Sequence, residues 1–193
     1  MKKEIQDILN TLKPKMKPDR FYHTIGVIYT AANLAYAYDY DADKAMLAAA
    51  LHDCAKLIGA NDYIEECKRL HIPIAEYSYD SPHLLHADLG AYYAKEEYGV
   101  TDEEVLHAIL VHTTGCPNMG LLDKILYLAD YIEPGRFPYK GIDQLRKAAY
   151  TDIDYAVYLE AENVLEYLKE REFAQDPRTK ETYKYYASIL NRR

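Results

Sequence analysis

Apolar residues recur along almost the whole chain at the three- and four-residue spacing of α-helices. The first stripe consists of Ile5, Ile8, Leu9 and Leu12, and it ends before Pro14. No stretch alternates between apolar and polar residues for long enough to predict a sheet. Further helices are predicted over 18–39, 44–58, 62–70, 82–97, 103–112, 121–132, 142–150, 152–171 and from 177 to the C-terminus. The pattern therefore predicts an all-α protein.

Capping and turn residues set the ends of several predicted helices. Asp41 or Asp43 is expected to cap the helix over 44–58, which should stop at Gly59. Ser81 precedes a proline and predicts the start of the helix over 82–97. Thr101 followed by three acidic residues has the pattern of a capping box.

Length, charge and cysteine content narrow the class of protein. A chain of 193 residues suits a single domain over 1–193. The net charge of −8 disfavours nucleic acid as a partner. Three cysteines without a CxxC pair indicate neither a disulfide framework nor a zinc knuckle. No signal segment or membrane span is evident, so we expect a cytoplasmic protein without a membrane partner.

Polar residues interrupt several of the apolar helices. His52 and Asp53 lie inside the predicted helix over 44–58, where burial without a partner would cost several kcal/mol. A single pair of this kind can equally be a hydrogen-bonded element of the core. Further residues of the same kind lie in other apolar segments: His23, His86, His112 and Asp130. Inward histidines and carboxylates on facing helices suit iron, manganese or zinc, and the set is sufficient for a two-metal site.

The other histidines and the nearby cations refine this hypothesis. His83 lies one helical turn before His86, so spacing alone leaves either residue as the ligand. His107 and His71 are interpreted as structural or exposed. Three cations lie close in sequence to the candidate ligands, and they would attract a polyphosphate to a chain that is otherwise acidic: Arg20, Lys56 and Arg136.

Motifs of other enzyme classes are missing from the sequence. Gly115 and Gly120 have the spacing of a phosphate-binding P-loop, but two leucines follow where Lys-Ser/Thr is required. The chain also lacks the sequence patterns of dinucleotide-binding folds, of zinc proteases and of serine hydrolases.

The ordered set of histidines and aspartates resembles the HD-domain metal-dependent phosphohydrolases. The surrounding segments RFYHT (20–24), LHDCAK (51–56), LLHA (84–87), ILVHTTG (109–115) and LADYIEPGR (128–136) resemble the bacterial YqeK family. The resemblance extends over about 19–171. It implies a single-domain HD-type helical bundle with a metal-site core over about 19–136 and C-terminal helices over about 142–193. Ala87 stands where that family has glycine.

The resemblance also implies an activity, which is the symmetrical hydrolysis of diadenosine tetraphosphate to two molecules of ADP. A metal-bound hydroxide would attack a central phosphate. Two metal ions are implied, with iron first and manganese or another divalent metal as alternatives. Their ligands would be His23, His52, Asp53, His86, His112 and Asp130. Asp53 and Lys56 would be catalytic. Phosphate contacts would come from Arg20, Lys56, His83, Thr113, Thr114 and Arg136.

Other functions stay open at this point. The chain could be another nucleotide phosphatase or phosphodiesterase of the HD superfamily, a di-iron HD oxygenase, or a nucleotide-binding module without turnover. Its partner is expected to be a small nucleotide, with an ADP- or GDP-like product, and a homodimer is one option for its assembly. Of the 21 tyrosines, four lie next to candidate site residues in sequence and could contact the nucleotide: Tyr22, Tyr127, Tyr131 and Tyr139.

Overall fold

The computed structural model describes residues 1–57, 62–136 and 138–192. Within these ranges the chain forms ten α-helices and no strand, so the predicted all-α class is confirmed. Short 3-10 turns follow α1 and precede α5. The helices are α1 (Lys3–Leu12), α2 (Pro18–Ala37), α3 (Ala42–Leu51), α4 (Tyr63–Arg69), α5 (His86–Glu96), α6 (Glu103–Val111), α7 (Leu121–Ile132), α8 (Ile142–Ala149), α9 (Ile153–Glu170) and α10 (Pro177–Leu190).

Helix α7 lies at the centre of the single domain. It packs against five other helices, which are α2, α3, α6, α8 and α9. Its side chains are buried over most of its circumference, as in a core helix rather than a surface helix. Each fully buried leucine or isoleucine contributes about 1.5–3 kcal/mol relative to an exposed one. A polar residue in this helix must therefore be compensated by specific partners.

Alanines bring α2 and α3 close together. Helix α2 buries Ala31, Ala32 and Ala35, and α3 buries Ala45 and Ala48. Small side chains allow two helix backbones to approach closely, and α2 and α3 pack directly against each other. Helix α1 packs against α3, and α10 packs against α9. None of the helices in the described ranges has the length and apolar character needed to cross a lipid bilayer.

The third helix ends earlier than predicted. It stops at Leu51, so His52 and Asp53 lie in a turn at its C-terminus and not within a helix. The ring nitrogen Nδ1 of His52 lies 2.7 Å from the carbonyl oxygen of Ala49, one of the last helical carbonyls that lack an intrahelical partner. The N–H of Lys56 then bonds to the carbonyl of Asp53, which tightens the turn. The predicted stop at Gly59 lies outside the described residues.

Two predicted helix starts also differ in the structure. Ser81 makes no side-chain cap, and a 3-10 turn over Pro82–Leu85 precedes α5, which begins only at His86. Asp102, and not Thr101, caps α6 by accepting hydrogen bonds from the N–H groups of Glu104 and Val105. The carboxylate of Glu104 contacts Lys44 of α3 instead of reaching back to complete a capping box.

Candidate metal centre

Helix ends bring the predicted ligands together. His23 projects from the first turns of α2, and His52 and His112 directly follow the last residues of α3 and α6. His86 is the first residue of α5, and Asp130 lies near the end of α7. All of these side chains are at most a tenth exposed. The side chains converge in the space between α2, α3, α6 and α7.

The first group of candidate ligands consists of His23, His52 and Asp130. Nε2 of His23 lies 2.9 Å from Oδ1 of Asp130, and Nε2 of His52 lies 3.8 Å from the same oxygen. Neighbouring ligands of one ion, bound at about 2.0–2.2 Å, lie roughly 3–4 Å apart, so these separations suit a single ion.

The second group consists of Asp53, His86 and His112. The two Nε2 atoms lie 3.1 Å apart, and Oδ1 of Asp53 lies 3.5 Å from His86 and 3.7 Å from His112. The other carboxylate oxygen of Asp53 lies 3.4 Å from Nε2 of His52 in the first group. Asp53 is therefore the residue that joins the two groups.

Three of the histidines are held by their own main chain. Nδ1 of His52, His86 and His112 lies 2.6–2.7 Å from the carbonyl oxygen three residues earlier. Because a carbonyl only accepts, each ring must carry its proton on Nδ1 when it is neutral. The lone pair on Nε2 is then directed at the centre of the site, which is the arrangement found in metal-binding histidines.

The donor set fits divalent ions. Nε2 of His52 is buried and has no hydrogen-bond partner, an arrangement that is costly unless something binds there. Burial, together with the positive charge of Lys56, holds the pKa of His86 well below its usual value, so this imidazole is neutral as a ligand must be. Buried imidazoles and carboxylates in this ratio are typical ligands of iron, manganese and zinc.

Three cations contact the carboxylates of the site. Arg20 and Lys56 contact Asp53 at 2.7 and 2.8 Å, and Arg136 contacts Asp130 at 2.7 Å. Burial would raise the pKa of Asp53, but His52 and Lys56 outweigh it and hold that pKa well below its usual value. Burial likewise opposes ionisation of Asp130, but the adjacent ring of His23 and the charge of Arg136 outweigh it and hold the pKa of Asp130 well below its usual value.

The remaining predicted phosphate-binding residues differ in their placement. The hydroxyl of Thr113 lies 3.1–3.2 Å from Nε2 of both His86 and His112. The ring of His83 is exposed, and only its carbonyl contacts the site. Thr114 is placed elsewhere, because its buried hydroxyl donates to the carbonyl of Gly115 and its own carbonyl accepts from Thr182 in α10. Thr114 therefore belongs to the packing against the C-terminal helices.

The four tyrosines near the site have different environments. Tyr22 is 72% exposed, whereas Tyr127 is fully buried and cannot meet a base. The hydroxyl of Tyr131 donates to the carbonyl of Thr113, and that of Tyr139 donates to Glu160. Only Tyr22 among them presents a free aromatic face.

Glu160 in α9 is a buried carboxyl group that accepts a hydrogen bond from Tyr139 and lies near the charge of Arg136. Burial raises its pKa to about 8, although hydrogen bonds from Tyr139 and Asn163 act in the opposite direction. Between pH 4.5 and 8 the folded protein thus holds a proton that the unfolded chain has lost, and the free energy of unfolding should fall as pH rises.

We expect the Glu160→Gln variant to lose this part of the pH dependence. In wild type, Glu160 should lower the free energy of unfolding by at most about 1.4 kcal/mol for each unit of pH, which is the limit for one proton. Urea unfolding at a series of pH values measures it, and the variant should gain stability relative to wild type between pH 5 and 8. Glu162→Gln, a half-buried residue of the same helix, is the matched control. A constant difference between Glu160→Gln and wild type over this range would contradict the expectation.

Glu133 is not among the residues predicted from the sequence, yet it contacts one of them. Its carboxylate is 3% exposed and lies 3.0 Å from Nδ1 of His23, on the opposite side of the ring from Asp130. The residue directly follows α7 and precedes a proline, so its position in the sequence indicates only that a helix ends there. The signal available in the sequence was a carboxylate directly after the apolar helix that carries the predicted ligand Asp130.

Comparisons with known proteins show the family that the chain resembles. The HD domain family matches residues 20–135. The chain is 43% identical to a symmetrical bis(5'-nucleosyl)-tetraphosphatase of Halalkalibacterium halodurans, over 91% of this chain and 92% of that protein. It is 39% identical to the protein of the same description from Bacillus subtilis, over 95% and 97%. A crystal structure of a predicted HD superfamily hydrolase involved in NAD metabolism, from Clostridium acetobutylicum, superposes with a TM-score of 0.91 at 38% identity, covering 95% of this chain and 97% of that one.

Proposed function

The chain belongs to the HD domain family and, within it, to the symmetrical bis(5'-nucleosyl)-tetraphosphatases, and from this membership we infer that it hydrolyses diadenosine tetraphosphate. The observation that carries the inference is the 43% identity over nearly the whole of both chains. The HD fold and the clustered histidines and aspartates make it a metal-dependent hydrolase.

We propose that two ions occupy the two ligand groups, and that both are iron. His23, His52 and Asp130 would hold the first ion, while Asp53, His86 and His112 would hold the second. Bound divalent ions supply an activated water and neutralise charge on phosphoryl oxygens. Elemental analysis of protein purified with and without oxygen tests the identity of the metal, and manganese is the alternative outcome.

The cations of the site would bind and orient the phosphate chain. Lys56 and Arg20 flank Asp53, and Arg136 flanks Asp130, yet each of these cationic side chains keeps a quarter to a third of its surface exposed. Their remaining N–H donors are therefore available to an anion that arrives from solvent. Fixing the phosphates in this way lowers the barrier by orientation, and Lys56 also stabilises charge that develops in the transition state.

Thr113 and Tyr22 would complete the contacts with the substrate. The hydroxyl of Thr113 lies close to both Nε2 atoms of the second group and can donate to a phosphate oxygen held there. The exposed ring of Tyr22, one residue before His23, offers a surface on which a base can stack.

Product analysis tests the proposed cleavage. Diadenosine tetraphosphate should give two molecules of ADP, separated by anion-exchange chromatography, and a chelator should stop the reaction. AMP and ATP in equal amounts would contradict symmetrical cleavage. A panel that includes nucleoside monophosphates, triphosphates, cyclic nucleotides and NAD tests the other HD activities, and oxygen uptake with candidate substrates tests an oxygenase. A homodimer and a cytoplasmic location stay predictions, and sedimentation of the purified protein measures the first.

A further inference from the structure

The four candidate histidine ligands are held by two different kinds of partner. His52, His86 and His112 each use a main-chain carbonyl three residues earlier. His23 lies inside α2, and its Nδ1 is 3.0 Å from the carboxylate of Glu133, a residue 110 positions away in the sequence. The first group thus contains one histidine that is held by a distant side chain, whereas Nδ1 of both histidines in the second group faces a main-chain carbonyl.

The surroundings of Glu133 fix its carboxylate in place. One oxygen faces His23, and the other accepts a hydrogen bond from the N–H of Gly135 at 2.5 Å. Arg146 donates to the main-chain carbonyls of Ile132 and Glu133, which anchors the turn. Within the described part of the chain, no lysine or arginine lies within ion-pair distance of this carboxylate, and the ring of His23 is its side-chain partner.

Two glycines make room for this carboxylate. A Cβ atom at Gly26 would lie 2.4 Å from Oε2 of Glu133, and one at Gly135 would lie 2.9 Å from the same oxygen. Both distances are shorter than van der Waals contact allows. The space that α2 and the turn after α7 leave open is therefore filled by a charged group directed at a candidate ligand.

We propose that Glu133 is the positioning residue of the first ion site. Its carboxylate keeps the proton of His23 on Nδ1 and the lone pair of Nε2 directed at the ion, next to Asp130. Carboxylate partners of this kind also strengthen the imidazole as a ligand, and their loss weakens metal binding by about 10–100-fold. The ion held by His23, His52 and Asp130 therefore depends on Glu133, while the ion held by Asp53, His86 and His112 does not. The inference rests on the proposed two-ion site.

Metal binding by purified variants tests the proposal without any substrate. Glu133→Ala should retain about one ion per chain and bind the other about 10–100-fold more weakly, as measured by elemental analysis and by competition with a chelator. Glu133→Gln keeps an oxygen that can accept from Nδ1 but lacks the charge, so its loss should be smaller. Gly26→Ala leaves every ligand in place but forces the carboxylate to move, and it should resemble Glu133→Ala.

Controls separate this role from a purely structural one. Gly120→Ala is the matched control, because a Cβ there meets only Asp123, at an ordinary distance of 3.5 Å. Full occupancy of both sites with wild-type affinity in Glu133→Ala would overturn the proposal. So would equal loss of both ions together with a lower melting temperature of the metal-free variant, since that result indicates a general packing defect. Wild-type protein that binds two ions but cleaves another nucleotide would contradict the proposed substrate and leave this test intact.

Discussion

Replacing Asp53 by Asn is expected to lower the rate of diadenosine tetraphosphate hydrolysis by on the order of a thousandfold or more. Asp53 is the one candidate ligand whose two oxygens face different groups, with Oδ1 near His86 and His112 and Oδ2 near His52. The amide keeps the shape of the side chain but offers one neutral oxygen instead of two charged ones. Both ions should therefore bind more weakly, and elemental analysis should show less metal in each site.

The Asp53→Asn protein should still fold. Arg20 and Lys56 lose a charged partner, but both side chains are partly exposed and can be solvated. Asp123→Asn is the matched control, because Asp123 is also a buried carboxylate of the core but contacts His107 and the N–H of Gly120 instead of the site. The control should keep its ions and its turnover. An Asp53→Asn protein with both ions and wild-type turnover would overturn the proposed metal centre.

The second large loss of activity is expected when His86 is replaced, and a much smaller one when His83 is replaced. His86→Ala removes a buried ligand of the second group, and we expect hydrolysis to fall by about 10²–10³-fold with loss of that ion. His83→Ala removes an exposed ring and leaves the main-chain carbonyl that holds His86, so the loss should stay below about tenfold and affect mainly KM.

Steady-state kinetics and metal content of the two variants distinguish these residues. The spacing of the two histidines in the sequence could not distinguish them as ligands, because they lie one helical turn apart. In the structure Nε2 of His86 lies 3.1 Å from that of His112, whereas the ring of His83 is exposed. A larger loss of metal in His83→Ala than in His86→Ala would reverse the assignment.

Patterns of apolar residues were sufficient to predict the helices but not all of their ends. At the early end of α3, Nδ1 of His52 lies at hydrogen-bond distance from the carbonyl oxygen of Ala49. Helix propensities of single residues do not describe a contact of this kind. The late start of α5 depends on a 3-10 turn that places the carbonyl of His83 beside the ring of His86. At both ends a candidate ligand contacts a main-chain carbonyl at the helix boundary, and the pattern of apolar residues carries no information about such contacts.

The candidate site was predictable where residues interrupt an apolar helix and not where contacts link distant segments. Buried polar residues such as Asp130 are conspicuous in a helix that is otherwise apolar. Glu133 is not, because it lies beyond the helix end and its importance depends on His23, which is far away in the sequence. Thr114 is a different case, since the family resemblance implies a phosphate contact, whereas its hydroxyl donates to the carbonyl of Gly115 in the structure.

The contacts of His23 with Asp130 and Glu133 join the start of α2 to the end of α7, more than a hundred residues later. The first ion site is therefore complete only when these two distant segments have come together, and the unfolded chain cannot offer it. An ion at a hundred times its dissociation constant would add about 2.7 kcal/mol to the stability of the native state, which is a substantial share for a domain of this size. Metal supply would then set the lifetime of the folded enzyme against proteolysis as well as its rate of turnover.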